Sequence, residues 1–456
     1  MRVSDTPASN LNNARTANPP AINPNALALD RSPLLRARGR AFAHIAQFHP
    51  ELTAFRRDLH AHPELGFEEI YTSGRVAESL KLCGVDEVHT GIGKTGVVGV
   101  NTGNQIPKTN RGASVQPMVG LRADMDALTM TEHNTFGWKS ARPGVMHSCG
   151  HDGHTTMLIG AARYLAETRN FAGSAVLVFQ PAEEGRGGAQ AMINDGLFER
   201  FPVQAVYAMH NWPAMQPGTI GLNAGPMMAA ADRITIEVTG KGGHGAHAYL
   251  TVDPVLVAAH IITAVQSIVS RNVKAVDSAV ISLCAMHAGD PNAMSVVPDT
   301  ATLTGTVRTF SPSVQDIVER RLHEVCAAVA LGFGATASVK YERIYPATIN
   351  SSADFAVAAS VADQLVGQHT VVRDLEPSMG AEDFSFMLKV KPGAYLRLGQ
   401  GEHIADSTGA SVGDVVGGVG TGSRFLHNSC YDFNDSVLPL GSALFAGIVE
   451  RSLPLV

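Results

Sequence analysis

A run of nine residues concentrates side chains that bind transition metals. Residues 146–154 read Met-His-Ser-Cys-Gly-His-Asp-Gly-His and place Cys149, His151 and His154 close together. Thiolate and imidazole are preferred ligands of zinc and similar divalent metals. A lone cysteine is usually a small buried hydrophobe, but one followed by His151 on a polar, Gly-rich turn favours a ligand. His154 fits a supporting role, or a helix start, at least as well as a ligand.

Further candidate ligands follow short apolar segments downstream. Glu183 and Glu184 come after one such segment, His210 ends another, and His427 lies near the end of the sequence. Open α/β sheets place their sites at the carboxyl ends of strands, which favours a site over ordinary surface charge. Adjacent carboxylates point in different directions, so one can bind a metal while the other moves protons. Because a metal lowers the pKa of bound water toward ~7, the set predicts metal-assisted hydrolysis.

The elements that position these side chains alternate between strand and helix patterns. Such alternation predicts an α/β fold, with a large mixed sheet covered by helices. The predicted helices are 42–60, 72–82 and 155–168, and the predicted strands are 97–100, 117–121, 175–179 and 203–209.

The pattern changes near Gly225 to strand, helix, strand, strand, helix, strand. That order predicts a ferredoxin-like α+β domain over residues 226–344, acting as a lid or dimerisation surface. The large catalytic domain would then comprise 41–225 and 345–456, interrupted by the smaller domain. The predicted strands are 233–239, 279–285, 300–309 and 335–341, and the predicted helices are 253–270 and 313–331.

Length and composition limit the class of protein. A chain of 456 residues is long enough for two domains, and a net charge of −6 argues against nucleic-acid partners. No continuous apolar run approaches the ~20 residues that span a bilayer, so no membrane partner is expected. Five scattered cysteines favour a reduced, cytoplasmic setting over a disulfide framework. Residues 1–40 favour a disordered extension over a targeting signal.

Eight groups of residues resemble motifs of one enzyme family, with coverage from about residue 50 to the end. The sequence is similar to the N-acyl-amino-acid amidohydrolase branch of the aminoacylase and carboxypeptidase di-metal metallopeptidase family. That branch includes hippurate hydrolases and hydrolases of IAA-amino acids. The matching segments are 57–60 with 63–66, 121–128, 146–154, 181–188, 209–213, 240–245, 380–385 and 426–428.

The resemblance implies roles for residues at matching positions. Glu183 would be the general base and then the acid, and His244 would stabilise the oxyanion, often by reaching across a dimer. Two divalent metals per subunit are implied, either zinc, manganese, cobalt or nickel, and the cysteine ligand favours zinc. The implied metal ligands are Cys149, His151, Glu184, His210 and His427.

The sequence departs from the family pattern near the expected substrate. Tyr249 stands where a histidine is usual, Ser295 where an asparagine is usual, and Ser429-Cys430 replaces a proline and the residue after it. These departures leave the acyl group and the amino acid of the substrate open. The residues expected to support the site or contact substrate are Asp124, Asp126, His154, Tyr249, Ser295 and Glu382.

The predicted reaction is hydrolysis of the amide bond of an N-acyl or N-aroyl amino acid to a carboxylic acid and a free amino acid. A water held between the metals would attack the carbonyl, with Glu183 taking its proton. The alternative is a metallo-dipeptidase or carboxypeptidase, because the same groups cut a peptide bond. A non-catalytic metal-binding relative is a further alternative. The expected partners are a small-molecule substrate and a second copy of the chain, bound through the small domain.

Overall fold

The computed structural model describes residues 37–106, 116–401 and 425–455, and two β-sheets with their helices dominate these ranges. Most of the predicted N-terminal extension, residues 1–36, lies outside the described residues, and the first helix begins at Arg40. The helices are α1 Arg40–Ile45, α2 His49–Ala61, α3 Ile70–Leu82, α4 His151–Thr168, α5 Glu183–Arg186, α6 Gly188–Asn194, α7 Leu197–Arg200, α8 Pro254–Asn272, α9 Pro312–Gly332, α10 Ser352–Val366, α11 Phe384–Val390 and α12 Leu438–Ser452.

The strands follow the same chain order. They are β1 Glu87–Ile92, β2 Gly96–Thr102, β3 Met118–Asp124, β4 Ser174–Gln180, β5 Ala205–Trp212, β6 Ile220–Gly221, β7 Gly225–Met228, β8 Ala230–Thr239, β9 Gly243–His244, β10 Ala279–Ala288, β11 Val296–Val297, β12 Thr300–Thr309, β13 Thr336–Tyr345, β14 Thr348–Asn350, β15 Val371–Val372 and β16 Gly393–Gly399.

The larger sheet is mixed and carries the site. Its strand order is β1-β2-β4-β3-β5-β16-β6-β15, and its centre, β4-β3-β5-β16, is parallel. Every residue of β4 and β16 is buried, as expected where helices cover both faces. Helices α2, α4 and α12 pack on one face, and α6, α7 and α11 on the other. The predicted α/β class with a large mixed sheet is confirmed.

The second sheet is antiparallel, with strand order β10-β12-β8-β13. Helices α8 and α9 cover one of its faces, and the chain order is β8, α8, β10, β12, α9, β13, so the predicted ferredoxin-like arrangement is confirmed. The domain boundaries and the lid or dimerisation role stay predictions.

Helix α8 is apolar enough to resemble a membrane span. Among the described residues it is the one helix whose length and composition would allow it to cross a bilayer. Its Val257, Ile261 and Val265 side chains are fully buried or nearly so, and they pack against the antiparallel sheet. That packing is typical of the core helix of a folded domain, which passes the same test.

Two differences from the predicted elements matter for the site. Helix α4 begins at His151, four residues before its predicted start, because Gly150 adopts a left-handed conformation that turns the chain into the helix. The second difference is strand β16 in the middle of the sheet, because the sequence predicts only mixed α/β character after residue 345 and no individual strand there. All five cysteines are free.

Close packing at Gly153 in α4 gives a test of the fold. A Cβ at this position would overlap the buried ring of Phe433, whereas one at Gly74 in α3 would meet no atom. We expect Gly153→Ala to lower the free energy of unfolding by about 1–3 kcal/mol, because overpacking forces a buried ring to move. Gly74→Ala, the matched control, should raise it by about 0.5–1 kcal/mol.

Urea denaturation of both variants measures these changes. Equal stabilisation by the two substitutions would mean that α4 is not packed against Phe433 as described.

Candidate metal centre

The five predicted ligands come from separate parts of the chain and meet in one cluster. Cys149 Sγ lies 3.3 Å from His210 Nε2, and Glu184 Oε1 lies 3.3 Å from His427 Nε2 and 3.9 Å from His151 Nε2. The ligand atoms of Cys149, His151 and His210 lie within 4.8 Å of one another, and so do those of Cys149, Glu184 and His427. The structure therefore brings together all five side chains.

Unusual backbone conformations bring the ligands to this position. Gly150, between Cys149 and His151, has a φ of 93°, and a side chain there would overlap Asn211. His427, a predicted ligand, has a positive φ of 60° although it is not a glycine. Non-glycine residues with positive φ are uncommon, and they concentrate where the surrounding structure imposes the conformation for a functional reason.

Two histidines have one ring nitrogen fixed by a backbone carbonyl. His151 Nδ1 lies 2.9 Å from the carbonyl oxygen of Asp126, and His210 Nδ1 lies 2.7 Å from that of Asn211. A carbonyl oxygen only accepts, so Nδ1 carries the proton in both rings. Each Nε2 atom is then the one that faces the other predicted ligands, which is the arrangement that metal-binding histidines usually show.

Two buried atoms at the centre make no hydrogen bond within the described ranges. They are His151 Nε2 and Glu184 Oε1, the second of which lies at ion-pair distance from His427 Nε2 without a hydrogen bond between them. Buried polar atoms in folded proteins nearly always have a partner, so such a pair needs an explanation. A divalent cation supplies it, and a set of one sulfur, three imidazoles and one carboxylate has the chemistry of a transition-metal site. The residues present thus fit metal ions.

The electrostatics of the cluster also favour positive charge. Burial raises the pKa of the Cys149 thiol well above its usual value, and the carboxylates of Glu184 and Glu183 raise it further. Burial disfavours the charged form of His151, but Asp124 and Asp126 outweigh this effect and raise its pKa to about 10. Burial and neighbouring His154 lower the pKa of His210, which keeps that imidazole neutral and able to bind a metal.

Asp126 holds the two adjacent glutamates in place. Its Oδ1 accepts the backbone N–H of Glu183 at 3.0 Å and lies 3.2 Å from His151 Nδ1. Its Oδ2 accepts the N–H of Glu184 at 2.9 Å. One carboxylate therefore fixes three of the residues that the sequence assigns to the site.

His154 is saturated by hydrogen-bonding partners. Its Nδ1 lies 2.6 Å from Asp124 Oδ1, and its Nε2 lies 2.6 Å from Asn211 Oδ1 and 3.0 Å from the Asn211 backbone nitrogen. Both ring nitrogens are thus engaged, and the supporting role, one of the three that the sequence left open, stays a prediction. Asp124 also lies 3.7 Å from His151 Nε2.

Glu183 belongs to a buried acidic group whose negative charge one arginine offsets in part. Its Oε1 accepts the Asp383 N–H at 3.3 Å, next to Glu382. Arg122 donates to Asp124 at 2.7 Å, Glu382 at 2.9 Å and Asp383 at 3.0 Å. Burial raises the pKa of Glu183 well above its usual value, and Glu382 and Glu184 contribute.

Sequence reasoning assigned no role to Arg122 or Asp383. A signal was present, since an arginine inside the apolar strand β3 must be paired once it is buried. The identity of its partners depends on Glu382 and Asp383, which lie about 260 positions away in the chain, and no local pattern predicts that pairing.

Three predicted residues lie outside the cluster. His244, Tyr249 and Ser295 are all exposed, Tyr249 by 83%. The Ser295 carbonyl accepts the Gly245 N–H at 2.7 Å and so holds the turn after His244. In the part of the chain that the structure describes, no hydrogen bond, ion pair or ring contact joins them to the five ligands.

Comparison with known proteins places these features in a family. The sequence profile of peptidase family M20/M25/M40 matches residues 120–450. The chain is 39% identical to a hippurate hydrolase of Campylobacter jejuni, over 88% of this chain and 97% of that protein. It is 36% identical to an IAA-amino acid hydrolase of Arabidopsis thaliana, over 88% of this chain and 86% of that protein.

A solved structure agrees with this grouping. The YXEP protein of Bacillus subtilis, described as a dinuclear metal-binding peptidase, superposes with a TM-score of 0.74 at 31% identity. The match covers 90% of this chain and all of that one.

The contacts of Asp126 predict a measurable effect on metal binding. We expect Asp126→Ala to weaken metal affinity by about 10–100-fold, because the side chain orients His151 and both glutamates and is not itself one of the predicted ligands. Competition with a chromogenic chelator measures this affinity. Asp58→Ala, which removes a partly exposed carboxylate paired with Arg75 at 3.0 Å, is the control and should bind metal normally. Unchanged affinity in Asp126→Ala would contradict the support role.

Proposed function

The chain belongs to peptidase family M20/M25/M40, and we propose that it hydrolyses the amide bond of N-acyl or N-aroyl amino acids. It is a metal-dependent amidohydrolase that uses two divalent cations. The observation that carries the proposal is the placement of Glu183, a buried carboxylate outside the five-ligand set, directly beside Glu184 and His151.

We assign the cations to Cys149, His151, Glu184, His210 and His427. Bound there, divalent metals supply a Lewis acid that lowers the pKa of water and polarises the amide carbonyl. The side chains themselves keep the centre dry, because all but His427 and Glu184 are buried. His427 has a half-exposed side chain, so the open side of the centre lies next to it. We propose that substrate enters from this side.

Glu183 is the proposed proton carrier. Its Oε1 accepts one long bond from Asp383 N–H, and within the described residues its second carboxylate oxygen makes no hydrogen bond. That oxygen is available to take a proton from the attacking water and to deliver it to the leaving amine. Its backbone is fixed on both sides, by Asp126 at the N–H and by Tyr345 at the carbonyl.

The names of the relatives support the substrate class. The similar proteins of Campylobacter jejuni and Arabidopsis thaliana are named for hippurate and for IAA-amino acids, both of which are N-acyl amino acids. Peptide hydrolysis is the second candidate, because the superposed structure is described as a peptidase. Assays on hippurate and on a dipeptide with the same C-terminal residue distinguish the two.

We propose that His244 stabilises the oxyanion, although in the described part of the chain it makes no contact with the five candidate ligands. Its side chain is exposed in strand β9, directly before the Gly245–Leu250 turn. We propose that a second copy of the chain presents its His244 to the centre, or that movement of the small domain does so. Dimerisation through that domain and a cytoplasmic location are parts of the same proposal.

Replacing Glu183 tests the proposed function. We expect Glu183→Gln to bind two metals per chain but to lose about 10²–10⁴-fold in kcat on hippurate, because the amide cannot accept a proton. Metal analysis and product assays measure both quantities. Glu68→Gln is the control, since among the described residues the side chain of this half-exposed glutamate makes only long ion pairs, 3.4 Å to Arg142 and 4.0 Å to Arg186. Full activity of Glu183→Gln would exclude it as the base.

Mixing two inactive variants tests how His244 acts. Glu183→Gln and His244→Ala each lack one component, so a mixed dimer regains one complete centre only if His244 crosses between subunits. We expect activity to rise on mixing and subunit exchange, toward about a quarter of the wild-type rate per chain at random pairing. No recovery, with exchange verified by differently tagged subunits, would exclude the shared centre and leave movement within one chain.

A further inference from the structure

A tyrosine at the end of the antiparallel sheet contacts the turn from Ala182 to Gly187, which carries Glu183 and Glu184. Tyr345 ends β13, paired with Ala231 of β8. Its hydroxyl donates to the backbone carbonyl of Glu183 at 2.8 Å and accepts the Gly187 N–H at 3.2 Å. One phenol therefore joins the two ends of the turn that carries the proposed base and a proposed metal ligand.

This turn has little regular structure of its own. Ala182 adopts a left-handed conformation with a φ of 54°, Gly185 and Gly187 also have positive φ, and Glu184 has a non-helical ψ of 75°. A backbone of this kind does not form a continuous helical hydrogen-bond ladder, so groups from elsewhere must fix it.

Three side chains hold the backbone between Ala182 and Gly187. Glu69 Oε1 accepts the Ala182 N–H at 2.8 Å, and Asp126 accepts the next two N–H groups. Both of these acids lie in the part of the chain that builds the large sheet. Tyr345 is the contribution from the antiparallel sheet, and it is the one that contacts the Glu183 carbonyl.

The phenol is held firmly in position. Tyr345 is only 7% exposed, and its ring packs edge-on against Phe386 with centroids 5.8 Å apart. Burial, with Asp383 and Glu183 close by, raises the pKa of the phenol, so the hydroxyl keeps the proton that it donates. Because tyrosine has only two rotatable side-chain bonds and this one is buried, the position of its hydroxyl depends closely on the position of strand β13.

We propose that Tyr345 is a positioning residue that couples the antiparallel sheet to the placement of Glu183. The inference rests on the proposed role of Glu183 as base. It implies that movement of the small domain, whose final strand is β13, changes the position of the base as well as access to the centre.

The test compares two tyrosines of the same strand. Tyr345→Phe removes only the hydroxyl that contacts the turn. Tyr341→Phe is the matched control, because that partly buried hydroxyl donates to Asp232 within the antiparallel sheet and, among the described residues, hydrogen-bonds to no residue of the centre. Each variant is assayed as the metal-loaded full chain for kcat, KM, metal content and amide hydrogen exchange in residues 183–190.

We expect Tyr345→Phe to lower kcat on hippurate by about tenfold or more, because small misplacement of a catalytic group is costly. KM should stay within about twofold, since substrate contacts are unchanged. Two metals should remain bound, and amide exchange in 183–190 should become faster. Tyr341→Phe should match the wild type in kcat and in exchange of this segment.

Specific outcomes overturn the inference. Wild-type kcat in Tyr345→Phe excludes the positioning role, and so does a change confined to KM. An equal fall in kcat for Tyr341→Phe would show that general loss of stability is the cause. If the wild-type chain hydrolyses no acyl amino acid, the proposed function fails. Exchange in 183–190 still decides whether Tyr345 holds the turn, and unchanged exchange overturns the inference on its own.

Discussion

The close placement of five candidate metal-binding side chains, three of them buried, around one small volume is the constraint on which the rest of the structure depends. A thiol, imidazoles and a carboxylate placed so close together are unfavourable away from water unless cations or protons compensate them. The raised pKa values of Cys149 and His151 express that demand for positive charge. Metal ions held by His151 Nε2 and Glu184 Oε1, which have no hydrogen-bond partner among the described residues, would supply this positive charge.

The residues around the cluster hold its side chains in place and limit how much negative charge surrounds it. Asp126 and the carbonyl groups fix the rings and the glutamate turn, so the ligands do not have to be ordered when a metal binds. Arg122 forms ion pairs with Glu382 and Asp383 behind Glu183. The negative charge that faces the centre therefore comes mainly from the proposed ligands and the proposed base. The parallel centre of the sheet makes such an arrangement practical, because neighbouring strands end at the same edge.

Much of this could be predicted from the sequence, for reasons that are physical. Cys149 and His151 stand in a segment too polar and Gly-rich for a core strand, Glu184 follows strand β4, and His210 lies near the end of strand β5, so residue type and position agree. The order of strands and helices between β8 and β13 was readable because each has a clear period. What escaped prediction depends on distant pairing: Arg122 with Asp383, Tyr345 with the Glu183 turn, and strand β16 in the middle of the sheet.

The central claim is that Cys149 and its four partners hold two metal ions, and X-ray absorption of the zinc-loaded protein, together with elemental analysis, tests it most directly. The account predicts two zinc ions per chain and a sulfur ligand at about 2.3 Å that disappears in Cys149→Ser. One ion or none per chain, or a coordination shell of nitrogen and oxygen alone in the wild-type protein, would contradict it.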